Sequence, residues 1–149
     1  MKKRVLLVAS GGGHWVQLLR IRQAWADMDI AYVTVQESYR SQVADGRFYR
    51  VTDATRWDRW KLLRMIAEMA LIVLRERPDV VITTGAAPGV AALRLGKWFG
   101  ARTVWIDSIA NVEAMSMSGQ KVRAFADLWL TQWEHLARDE GPRYEGAVL

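Results

Sequence analysis

Ser10-Gly11-Gly12-Gly13-His14 is the stretch of this chain best suited to chemistry. Glycines let a backbone pass close to a ligand, and the free N–H groups in the first turn of a helix attract phosphate or another anion. His14 follows at once, in the place and of the residue type for a general base near neutral pH. It could equally do no more than cap the helix or bond to a loop. Two further sets share this character: Thr84-Gly85-Ala86-Ala87-Pro88-Gly89, and Asp107-Ser108 through Asn111. Asp107 could orient His14, deprotonate a hydroxyl itself or bind sugar hydroxyls. It could also hold the loop that follows it by accepting from backbone N–H groups.

The elements that must position these residues are legible around them. Val5 to Ala9 is an apolar run ending at the glycines, and the positively charged start with so short a run reads as a first strand, not a secretion signal. Val16, Leu18, Leu19, Ile21 and Trp25 interleave with Gln17, Arg20, Arg22 and Gln23 at helical spacing and make the first helix. Ile30 to Val35 and Phe48 to Thr52 are β-branched and aromatic, the signal of strands. A long helix covers about Trp57 to Glu76 and stops at Arg77-Pro78. Asp79 to Thr83 is a buried strand, and Val90 to Phe99 is a helix that proline precedes and Gly100 closes. Thr103 to Ile106 is a strand, a short helix reaches Ala126, Leu128 to Thr131 is a strand, and the end is irregular. Strands alternating with helices predict an α/β fold, a Rossmann-like parallel sheet with helices on both faces, in a single domain over 1–149. Such sheets bind ligands at the carboxyl ends of their strands, so the three candidate loops should converge.

Composition narrows the partners. The chain has no cysteine and two histidines, His14 and His135, which removes thiolate sites and makes a metal centre unexpected. Asp27-Met28-Asp29 has the spacing of a metal-nucleotide motif but precedes a strand, at the wrong edge of the sheet, and reads as a solvated turn. Val16 stands where a dinucleotide fingerprint needs a third glycine, although Glu37 could imitate its ribose-binding acid, and no cofactor is expected. The net charge of +5 comes mostly from arginine, sixteen against five lysines, and arginine favours bidentate phosphate contact. These charges are spread along the chain, which argues against nucleic acid.

Eight tryptophans bring in the membrane. Along the long helix Trp57, Trp60, Leu63, Ala67, Leu71 and Leu74 form one stripe, and Lys61, Arg64, Glu68 and Arg75 form another. The apolar stripe suits either the core of the domain or an anionic membrane surface. Arg56, Trp57, Arg59, Trp60, Lys61 and Arg64 together favour headgroup depth.

Asp107-Ser108-Ile109-Ala110-Asn111-Val112, Met115-Ser116, Ser118-Gly119, Ala126-Asp127-Leu128 and Thr131-Gln132-Trp133-Glu134-His135-Leu136 resemble a known family. With Gly11 to His14, Pro78 to Gly85 and Tyr144-Glu145-Gly146, the chain looks like the Alg-fourteen and PssD-like proteins of oligosaccharide assembly. That resemblance implies the N-terminal half of a two-lobed GT-B glycosyltransferase, binding a lipid-diphosphate-linked saccharide acceptor and inactive without a separate subunit that holds a UDP-sugar. Sugar transfer would be inverting and metal-free, in polysaccharide assembly on undecaprenyl diphosphate, at the cytoplasmic face of the inner membrane. It implies His14 and Asp107 as catalytic, and Ser10, Gly11, Gly12, Gly13, Thr84, Gly85, Ser108 and Asn111 on the acceptor diphosphate. It also implies Gln132 and Trp133 at the partner interface. The family often has glutamate at Asp107 and arginine at Asn111, and its eukaryotic members carry a membrane helix not seen here, which points to the bacterial branch. Two readings stand beside it: a non-catalytic membrane adaptor for the donor subunit, and a nucleotide-binding oxidoreductase or epimerase domain.

Overall fold

Arg4–Ala9 (β1) is an interior strand of the sheet because Val5 to Ala9 offer apolar side chains to both faces, as a strand covered on both sides must. In the computed structural model, residues 2–148 are described; Met1 and Leu149, the ends of the expected domain, lie outside them. The other strands are Asp29–Thr34 (β2), Arg47–Arg50 (β3), Val80–Gly85 (β4), Arg102–Ile106 (β5), Leu128–Thr131 (β6) and Arg143–Tyr144 (β7). They form one seven-stranded sheet in the order β3-β2-β1-β4-β5-β6-β7, with each adjacent pair parallel. The order reverses between β1 and β4, which opens a crevice at their carboxyl ends.

The helices are Gly13–Ile21 (α1), Arg59–Glu76 (α2), Ala87–Trp98 (α3) and Met117–Lys121 (α4). On one face Leu6 and Val8 pack with Met65, Met69, Val73, Ala92 and Leu93 of α2 and α3. On the other, Val5, Leu7 and Ala9 pack with Trp15 and Leu18 of α1. Asp58 caps α2 by accepting from Lys61 N at 3.1 Å, and Arg77 ends it in the left-handed conformation before Pro78. Pro88 sits in the first turn of α3, and Gly100 after it takes φ 87°.

Two expectations are corrected, the extent of the first helix and the irregular end. The first helix begins at Gly13, and its buried positions are Trp15, Gln17 and Leu18, while Val16 is 45% exposed. The last turn of that pattern, Arg22–Trp25, tightens into a 3-10 turn. The irregular end contains β7, too short to show in any periodicity but paired with β6 through Leu130 and Thr131.

A buried carboxylate holds the amino-terminal side of the sheet. Glu76, the last residue of α2, accepts from Arg47 Nε at 2.9 Å and Nη2 at 2.7 Å and from the Tyr49 hydroxyl. Arg47 also donates to Asp29 at 2.7 Å. Burial acts to raise the Glu76 pKa, but Arg47 and Tyr49 outweigh it and hold the carboxyl below its ordinary value.

Candidate functional site

The loops after β1 and β4 are joined by Ser10 N donating to Gly85 O at 3.1 Å. His14, in the first turn of α1, is then clamped from both ends. Its Nδ1 lies 2.9 Å from Thr84 O, and its own carbonyl accepts from Thr84 Oγ1 at 2.6 Å. A carbonyl can only accept, so Nδ1 carries the proton and Nε2 of the neutral ring is the basic nitrogen. Nε2 has no partner among the described residues. Gly85 makes the close approach possible: at φ 121° it favours glycine, and a Cβ there would lie 2.7 Å from His14 Nδ1.

A cleft of about 200 Å³ opens here, lined by His14, Gly85, Ser108, Asn111 and Ser116 among others. It lies at the carboxyl ends of β4 and β5, where the crevice of this sheet order belongs. Of the residues expected on a diphosphate, the structure brings Gly85, Ser108 and Asn111 together with His14. Thr84 is buried and its polar atoms are engaged with His14. Ser10 to Gly13 enter α1 beside the cleft without lining it. Gly12 takes φ 70°, and its N–H is donated to Tyr39 Oη at 3.0 Å. Tyr39 is itself stacked on Trp15, ring centroids 5.0 Å apart.

Of the roles open to Asp107 in the sequence, the bonds it makes are those of a support for the loop that follows it. Asp107 is 2% exposed, and Oδ1 accepts from Trp105 Nε1 at 3.0 Å and Ser116 Oγ at 2.6 Å. Oδ2 accepts from Ser116 N at 2.8 Å and Asn111 Nδ2 at 3.2 Å. Four donors occupy both oxygens, and none of them is His14. Asp107 shapes the loop that forms one wall of the cleft. Ser116 continues the chain of bonds by capping α4, its Oγ accepting from Gly119 N at 2.9 Å.

Gln132, expected at a partner interface, is turned inward in this chain. It is 4% exposed, and its Nε2 donates to Gln17 Oε1 at 2.5 Å and Asp107 O at 2.9 Å. Gln17 donates in turn to Ser108 Oγ at 3.1 Å and accepts from Ile109 N at 3.2 Å. Gln132 Oε1 accepts from Val148 N at 2.7 Å, so one amide couples α1, the loop after β5 and the C-terminal tail. Trp133, partly exposed, donates its Nε1 to Ile109 O at 2.7 Å. Gln17 was not singled out by sequence reasoning. Its signal was its place, one turn after His14 on the face that Trp15 and Leu18 bury.

The tryptophan stripe of α2 and of the turn before it faces outward. Met65, Met69, Ile72 and Val73 face the core, while Trp57 is 81% exposed, Trp60 83%, Leu63 58% and Leu71 69%. Arg56, Arg59, Lys61 and Arg64 are exposed beside them, with the Arg56 guanidinium 4.5 Å from the Trp57 ring centroid. So much exposed apolar surface marks a face that meets something. No helix among the described residues is long and apolar enough to cross a membrane.

This is a Rossmann-like domain of the kind that forms one half of a GT-B glycosyltransferase. MurG of Acinetobacter baumannii superposes with a TM-score of 0.76 at 11% identity, over 94% of this chain and 44% of that one. A UDP-N-acetylglucosamine 2-epimerase from Rickettsia bellii gives 0.69 at 13% identity, over 91% and 40%. This chain spans less than half the length of either, and the likeness is one of fold. The sequence model described as oligosaccharide biosynthesis protein Alg14 like matches residues 47–148, and the chain belongs to that family. Among its relatives, the UDP-N-acetylglucosamine transferase subunit ALG14 of Eremothecium gossypii is 25% identical, over 99% of this chain and 80% of its own length. The protein of the same description from Mus musculus is 38% identical, over 52% of this chain and 39% of its own.

Proposed function

We propose that this chain is the acceptor-binding and membrane-associating subunit of a two-subunit inverting glycosyltransferase, with the sugar donor held by a separate partner. The observation that carries this reading is the clamped His14, with an unpartnered Nε2 on a polar cleft at the switch point of a GT-B-type half. The relatives named as transferase subunits support the class of reaction and the need for a partner. The half-length match to MurG fits a single lobe.

In this mechanism the acceptor is a saccharide on a lipid diphosphate, undecaprenyl diphosphate in a polysaccharide pathway. Ser108 and Asn111 line its place, and the N-terminal end of α1 supplies the positive potential that a diphosphate needs. His14 Nε2 takes the proton of the acceptor hydroxyl as its oxygen attacks the anomeric carbon of the UDP-sugar. The glycosidic bond to UDP breaks on the opposite side, which inverts the centre, and UDP leaves with the bonding electrons from the partner's site. The clamp on Nδ1 keeps the ring from turning, so the base is oriented before the acceptor arrives. The outward tryptophans and arginines of α2 lie on the anionic cytoplasmic face of the inner membrane and bring the cleft to its substrate.

The test is His14→Ala in the assembled pair. Turnover should fall by about 10²-fold or more with acceptor binding retained, the size expected for loss of a general base. Unchanged turnover removes His14 from this role.

A further inference from the structure

Beside the polar cleft lies a larger apolar groove of about 690 Å³ between α2, α3 and α4, walled by residues such as Met65, Ile66, Ala91, Leu95 and Trp98. Its size falls in the range that encloses an organic ligand of several hundred daltons. It is contiguous with the cleft, because Ala86 and Ser118 line both. Three cations, Arg56, Arg94 and Lys121, also line it, and no carboxylate does. The Arg94 guanidinium lies 5.1 Å from the ring centroids of both Trp98 and Phe125, held by aromatic faces rather than by an acid. Arg56, Arg94 and Lys121 take no carboxylate partner among the described residues. Trp98, on the groove wall, is 67% exposed, and Phe99 beside it 54%, so the groove opens on an aromatic surface.

An occupant that fits this arrangement has an apolar chain and an anionic head. A folded partner helix would satisfy the apolar walls, but it would not explain cations without acids or the opening into the cleft. We propose that the groove between α2 and α3 holds the apolar chain of the lipid acceptor itself, with the diphosphate at the Ala86–Ser118 junction. This rests on the acceptor reading above and adds to it. The first part of the chain leaves the bilayer and is bound by the protein, so the tail contributes affinity and places the head against His14.

The test uses the full chain, alone and with its co-purified partner, titrated by calorimetry with farnesyl diphosphate, inorganic pyrophosphate and farnesol. Farnesyl diphosphate should bind about tenfold or more tightly than inorganic pyrophosphate, because its apolar surface leaves water. Ala91→Phe, which fills the groove, and Ile66→Asp, which makes its wall polar, should cancel that gain and leave pyrophosphate binding unchanged. Ile66 is 38% exposed, so its variant keeps the test sound if Ala91→Phe fails to fold. Equal binding of farnesyl diphosphate and pyrophosphate, unaltered in both variants, overturns the groove assignment and leaves the acceptor reading standing. Farnesol binding as tightly as farnesyl diphosphate, with no pyrophosphate binding, overturns the acceptor reading and with it the assignment to the acceptor's tail. Binding of none of the three overturns both.

Discussion

His14, in the helix after β1, and Asp107, just after β5, stand at the same edge of the sheet with β4 between them, and differ in what surrounds their polar atoms. His14 gives one nitrogen to Thr84 O and keeps the other. Asp107 has four donors on two oxygens, so replacing it tests a support and not a base. Asp107→Asn puts an NH₂ group against N–H and O–H donors and should cost about 1–3 kcal/mol of stability. Denaturant unfolding measures this, and any loss of turnover should follow the disordering of the loop and leave the pH profile unchanged. Gly85→Ala makes the complementary case. Its Cβ would fall 2.7 Å from His14 Nδ1 on a backbone at φ 121°, so it should break the clamp and destabilise the fold by more than about 1 kcal/mol. A Gly85→Ala protein with unchanged melting and turnover would show that the clamp is dispensable.

Among the elements, α2 has the most divided duties. Its inner face packs on β1 and its last residue anchors the amino-terminal side of the sheet, while its outer face is apolar and exposed. Replacing both Trp57 and Trp60 by alanine should therefore change thermal stability little, since both are more than 80% exposed. The same change should abolish flotation with anionic liposomes. If that variant floats as well as wild type, the stripe is not the membrane face. The Glu76 anchor predicts a pH dependence. Its folded pKa lies below the ordinary 4.5, so as pH falls the unfolded chain takes up this proton first. The stability it contributes is complete above about 4.5 and is lost as pH falls through the lowered folded value. Glu76→Gln should lower stability at neutral pH by about 1–3 kcal/mol, a modest figure because Arg47 is half-exposed. The difference from wild type should shrink toward pH 3 in urea titrations. A constant difference would mean that another group carries the effect.

At the scale of the whole molecule, the proposed function divides the chemistry between this Rossmann-like domain and a partner. The purified chain should transfer no sugar, bind UDP-sugars weakly and gain activity only with its partner. Purification of the native assembly followed by mass spectrometry should show a second protein able to bind a nucleotide sugar. Transfer by the isolated chain at the rate of the assembly would overturn the division.

Much of this was legible in the residues alone. Glycines directly after an apolar run, a proline at a helix start and a glycine at a helix end are local signals. Each reflects the conformational freedom of one or two residues, so the strand–loop–helix order and the convergence of the loops could be inferred without coordinates. The orientation of α2 could not, because its tryptophan stripe and its methionine face are both apolar and only packing against β1 decides which is buried. Nor could the roles of Gln17 and Gln132, or which of its readings Asp107 would take. They lie far apart in sequence, and a side chain's partners depend on which loops the sheet order makes neighbours. Local propensity acts over a few residues and survives in a linear pattern, whereas burial and hydrogen-bond satisfaction are properties of surroundings that exist only once the chain has folded.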